Sequence, residues 1–196
     1  MKLTRAYKKR LEPTSNLKNL CSYLEATRSL LAMILQIPPF DPSTSLRTTF
    51  LLRLTNDVLS CIPGYTPTLE EVPELADWLD DLDQAWVVVL RLQVWDPCAG
   101  AGVVVDLPAD SDLKTSPMSQ TEKTRLKSLL IGGMEMLEEQ MEALSVDSNG
   151  QVEGVQHAET LTASEAFNDL FSRTSEELGM AEEKPSSATE VGICCA

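Results

Sequence analysis

A single histidine, His157, sets the first limit on the chemistry of this chain. Nucleophilic sets of the Ser-His-Asp or Cys-His kind need an imidazole held in place, and His157 lies in a polar stretch suited to a solvated loop. Cysteine is scarce too. The five residues Cys21, Cys61, Cys98, Cys194 and Cys195 are odd in number and irregularly spaced. That is no disulfide framework and no zinc-ligand pattern. Cys21 and Cys61 fall on apolar stripes and read as small hydrophobes in a reducing compartment. Aromatic residues make up only 5%, which supports a modest core. No run approaches the roughly 20 apolar residues that span a bilayer.

Phosphate and calcium loops are missing in detail. Gly100-Ala101-Gly102 lacks the third glycine and the lysine of a phosphate loop. The run from Asp147 to Glu153 imitates the middle of an EF-hand loop. Its first position is Ser145 and its twelfth is Gln156, so the first carboxylate and the bidentate glutamate are absent. Together these absences predict a protein that is not an enzyme and holds no metal or cofactor.

Charge is abundant but lopsided. The net charge is −14, split as +6 over residues 1–53 and −20 over residues 54–196. The acidic part suggests a basic partner or internal neutralisation, and it argues against nucleic-acid binding by the main domain. The start, MKLTRAYKKRLEP, has no apolar signal core, so no secretory signal is expected. Its face of Leu3, Tyr7 and Leu11 fits a solvated helix start, an import or interaction arm, or a mitochondrial presequence, in that order. A cytoplasmic or nuclear location follows as the expectation.

The chain is organised around residues 72–96, VPELADWLDDLDQAWVVVLRLQVWD, which hold all three tryptophans. Leu75, Leu79, Leu82, Trp86, Val89 and Leu90 recur at steps of three and four, one face of a helix. Glu74, Asp77, Asp80, Asp81 and Asp83 fill the opposite face. The run from Val87 to Trp95 is apolar nearly all round and reads as an enclosed helix, with a strand as the alternative. Before it, Leu17, Leu20, Cys21, Leu24, Leu31, Ile34 and Leu35 mark a helix capped by Thr14, Ser15 or Asn16 and stopped by Pro38-Pro39. Leu46, Phe50, Leu51, Leu54, Val58, Cys61 and Ile62 mark the inward face of another, Thr44 to Cys61, ended by Pro63-Gly64. Thr68 with Glu71 forms a capping box ahead of Val72.

Residues 97–117 read as a linker, with Val103-Val104-Val105 as one short strand or a cover. Ser119 with Glu122 caps a helix reaching about Leu144. Its seam of Leu126, Leu130, Met134, Leu137, Met141 and Leu144 is nearly heptad, as in a coiled coil. The overall expectation is all-α. A basic arm (1–13) precedes an antiparallel three- or four-helix bundle (14–145), and a flexible, disordered acidic tail (146–196) carries one short helix at about 162–178.

Two segments have the form of nuclear-receptor recognition boxes: Leu126-Lys127-Ser128-Leu129-Leu130 as L-x-x-L-L, and Phe167-Asn168-Asp169-Leu170-Phe171 as F-x-x-L-F. Anchors at i, i+3 and i+4 suit docking into a groove. The expected function is that of a helical adaptor or complex subunit. Leu130, Leu137, Met141, Phe167, Leu170 and Phe171 would bind protein partners, and Asp77, Asp80 and Asp81 would steer a basic surface. The alternative is an apolar-ligand or lipid-binding bundle with Trp86 and Trp95 lining a cavity. The oligomeric state stays open.

Overall fold

The structure, a computed structural model, describes residues 2–105, 113–148 and 169–180. Within them the protein is mostly helical, with one two-stranded ribbon. The helices are α1 (Lys2–Lys8), α2 (Leu20–Leu35), α3 (Ser43–Cys61), α4 (Val72–Leu90), α5 (Gln120–Ser148) and α6 (Ser172–Glu177). Single 3-10 turns occupy Ile62–Tyr65 and Leu69–Glu71.

The α4 helix lies at the centre. Leu75, Trp78, Leu79, Leu82, Ala85, Trp86, Val88 and Val89 are buried together with the inward stripes of α2 and α3. Its start follows the expected capping box: the Thr68 N–H donates to Glu71 at 3.0 Å, a 3-10 turn follows, and α4 opens at Val72 with Pro73 in the first turn. The β-branched run stays helical through Leu90. There the Gln93 N–H donates to Val88 O and the Leu92 N–H to Val89 O, a Schellman closure with Leu92 left-handed at φ 55°. Only then does the chain extend, as β1 (Val94–Asp96), antiparallel to β2 (Ala101–Val103) with Trp95 opposite Gly102. The expected linker therefore begins as a ribbon. Later it is clipped to the loop before α3, where the Asp41 N–H donates to Lys114 O at 2.8 Å.

Two expectations need correction. The helix expected after Pro13 begins at Leu20, because Asn19 and not Thr14, Ser15 or Asn16 accepts the first free N–H, that of Ser22, at 3.0 Å. In α3, Leu46 and Phe50 do not face inward; they are 46% and 41% exposed. The buried face carries Arg47, Thr48, Leu51, Thr55, Val58 and Leu59 instead. Threonine serves there because its hydroxyl bonds back one turn, Thr48 to Thr44 O and Thr55 to Leu51 O, leaving only a methyl group to pack.

The α5 helix starts on its capping box, with the Ser119 N–H donating to Glu122 at 2.9 Å. It lays Leu126, Leu130 and Leu137 on the core beside α3. The adjacent glycines have different roles. A Cβ on Gly133 would come within 2.6 Å of the Leu59 side chain, whereas one on Gly132 would meet nothing within 4 Å. Gly132→Ala is expected to stabilise by about 0.5–1 kcal/mol through helix propensity. Gly133→Ala is expected to destabilise by about 1–3 kcal/mol through overpacking. Urea denaturation of both variants checks this, and equal shifts for the two would refute it.

The basic N-terminal segment is seated as well. Leu3, Ala6 and Tyr7 of α1 pack against the core. Tyr7, Tyr23 and Tyr65 form a ring cluster with centroids 5.3–6.0 Å apart, and the Arg10 guanidinium lies 4.3 Å over Tyr7. Burial comes first among the causes that push the Tyr65 hydroxyl up to about 12.

Candidate functional site

Part of the apolar surface left uncovered by the fold lies where α1, α2 and α3 meet. An open depression of about 330 Å³ is lined by Leu3, Leu30, Met33, Ile34, Phe50 and Leu54. Met33 is 61% exposed, the highest value among these residues that the structure records. Two strong hydrophobes on neighbouring helices, facing out beside a concavity, form a contiguous patch rather than scattered surface residues. At its rim the Arg53 Nε donates to both Asp57 oxygens at 3.0 Å. Arg5 and Lys8 are exposed on the same short helix as Leu3.

The acidic face of α4 is already served by the chain's own cations. Asp81 pairs with Arg28 at 3.0 Å, and Asp80 pairs with Arg173. Asp77 is exposed. Asp83, expected on the solvated face with the others, is buried. Its carboxylate accepts the Thr174 N–H at 2.9 Å and the Arg173 Nε–H at 2.9 Å, while the Thr174 hydroxyl donates to Asp83 O. Arg91 adds a bond to Glu177 at 2.8 Å. This clasp seats residues 169–180 on α4, with Phe171 and Leu178 in the core. The α6 helix then ends on left-handed Gly179.

Comparison with protein-family models, with curated proteins and with solved structures returned no match. The reading of this surface therefore rests on its own geometry.

Several of the residues singled out as partner anchors lie elsewhere than a docking role requires. Leu130, Leu137 and Phe171 are buried in the protein's own core, because α5 and the 169–180 segment supply the apolar cover that α3 and α4 lack by themselves. Met141 and Leu170 are half-buried. Phe167, His157, Cys194 and Cys195 lie outside the described residues, as do residues 162–168 of the helix expected at about 162–178; in the described remainder the helix is α6 alone. Spacing alone does not reveal this patch, because it places Phe50 on the inward face of α3 and leaves Met33 off the stripe of α2.

Two of the thiols, Cys21 and Cys61, are held toward the protonated form. Cys21 is pushed up to about 11, chiefly by its interaction with the Glu74 carboxylate, then by burial and by Glu71. Burial likewise raises Cys61. Cys98 is exposed at the tip of the ribbon. Among the described residues no group of three or more His, Cys, Asp or Glu is placed to hold a metal ion. None of the described helices is long and apolar enough to cross a membrane.

Proposed function

We propose that the protein is a non-enzymatic helical adaptor or complex subunit of the cytoplasm or nucleus, built as an antiparallel four-helix bundle of α2, α3, α4 and α5. Its docking surface is the apolar depression between α1, α2 and α3, and its occupant is an amphipathic helix of a protein partner. The observation that carries this reading is the exposure of Met33 and Phe50 beside that depression. Groove-and-helix docking needs a few large apolar anchors and a concavity to receive them. Charge favours a partner helix with acidic residues flanking its apolar stripe, because residues 1–53 carry +6. The basic partner first expected for Asp80 and Asp81 is displaced in this reading by Arg173 and Arg28, leaving Asp77 as the free acid of that set.

Phe50→Asp combined with Met33→Asp is expected to abolish capture of the partner in pull-downs while leaving the melting temperature within a few degrees. A photo-crosslinker placed at position 50 should bind that partner covalently. Retention of every captured protein by the double variant would overturn the reading. An apolar small-molecule ligand would use the same depression rather than Trp86 and Trp95, since Trp86 is fully enclosed. Displacement of a fatty-acid-like fluorescent probe by the wild-type chain alone would favour that ligand, and a shift to dimer on size exclusion would favour a second copy.

A further inference from the structure

Arg47 is 1% exposed, yet its guanidinium is only partly satisfied. Nη1 donates to Gln93 O at 2.7 Å, while Nε and Nη2 have no hydrogen-bond partner among the described residues. Those two nitrogens are the side-on edge of the group, the pair of parallel N–H donors that matches the two oxygens of a carboxylate or phosphate. One turn earlier on the same face of α3, the buried Thr44 hydroxyl also has no partner there. Side chains on a helix tilt toward its N-terminus, which places both donors at the N-terminal end of α3. No side chain caps that end: Pro42 occupies the N-cap position and makes no side-chain bond. The Ser43 N–H already donates to Phe40 O at 2.7 Å; the remaining first-turn N–H groups and the helix dipole favour negative charge.

No described acid meets this need. Asp41, the acid nearest in sequence, is exposed and accepts the Ser116 hydroxyl at 2.6 Å. Burial lowers the Arg47 guanidinium to about 10, which still leaves it charged at neutral pH. A buried cation without a counter-charge is strongly unfavourable. Exposed Asp41, Pro42 and Lys114 border the same end of the helix.

We infer that the N-terminal end of α3 is an oxyanion-binding site. Arg47 holds a phosphate or carboxylate group through Nε and Nη2, and Thr44 and the first-turn N–H groups after Ser43 complete the cradle. The site is separate from the apolar depression, so its fate does not depend on the proposed docking function.

Equilibrium dialysis of the full chain against labelled inorganic phosphate tests it. A parallel arm uses acetate, and chloride at matched ionic strength serves as the control. The expected result is saturable binding of one anion per chain, with slower hydrogen exchange at residues 43–48. Phosphate binding without acetate binding assigns a phosphate group, and the reverse assigns a carboxylate. Arg47→Met should weaken binding by at least about tenfold. Arg47→Lys should weaken it less, since lysine keeps the charge but loses the paired donors. If Arg47→Met does not fold, the wild-type isotherm and the lysine variant decide. Failure of wild type to bind either anion saturably, or equal binding by wild type and Arg47→Lys, would overturn the assignment.

Discussion

Trp86→Ala is expected to remove about 3–5 kcal/mol of stability, as full truncation of a buried large side chain does. That is a large fraction of the 5–15 kcal/mol typical of a whole domain. Trp86 is completely enclosed, and its indole N–H donates to the Thr55 hydroxyl at 3.0 Å. Thr55 in turn donates to Leu51 O at 2.9 Å, so the bond ties α4 to the backbone of α3 through a side chain. Trp78 provides the control. It is as deeply buried, but its indole nitrogen has no partner among the described residues. Trp86→Phe therefore loses ring volume and a satisfied hydrogen bond. Trp78→Phe loses similar volume but relieves a buried donor, a gain of order 1–3 kcal/mol. Guanidinium denaturation should rank Trp78→Phe as the milder change. The opposite order would show that these indole contacts are not what fixes α3 against α4.

The second large effect is expected at Asp83. Asp83→Ala leaves the Thr174 N–H buried without an acceptor and strips Arg173 of its best-enclosed partner. Arg173 is itself 44% exposed and keeps Asp80, so the main loss is the buried acceptor, about 1–3 kcal/mol. A six-residue helix has no stability of its own in water, so residues 169–180 should leave α4 and expose Phe171 and Leu178. Hydrogen exchange at those residues should rise to the rate of free chain, and a protease should cut there first. Asp80→Ala makes the informative comparison. Asp80 also contacts Arg173, but its side chain is 67% exposed, and exposed pairs are worth about 0–1 kcal/mol. Equal exchange in the two variants would mean that apolar contact alone seats the segment.

Much of the helical framework could be read from apolar spacing, most clearly in α4. There Leu75, Leu79, Leu82, Trp86 and Val89 all face inward as their periodicity implies. Two capping boxes located helix starts because both partners lie within four residues of chain. What spacing could not reveal depends on a third element. Asp83 looks like one more solvated acid until residues 169–180 are laid over it. Arg47 looks like a surface cation until its guanidinium proves to be buried and donating to Gln93 O. Phe50 and Leu46 look like core until a neighbouring arginine and three threonines prove to carry the buried face. A hydroxyl that bonds its own helix leaves no apolar trace in sequence, so the spacing finds Leu51, Leu54, Val58 and Cys61 on the buried face of α3 but not the threonines among them. For the docking surface the sequence held a weaker signal: more large apolar residues on α2 and α3 than one inward face of each can use.

The tyrosines have a practical consequence. Tyr7, Tyr23 and Tyr65 are the chain's full complement of that residue, and all three meet at one junction, whereas Trp78 and Trp86 sit in the interior around α4. The two kinds of chromophore thus report from separate places. Near-ultraviolet dichroism in the tyrosine region includes the packing of this junction, and indole emission reports on Trp78 and Trp86 of the central rod together with Trp95 of the ribbon. Any ligand, variant or solvent that loosens one region before the other will separate these two signals without an added label.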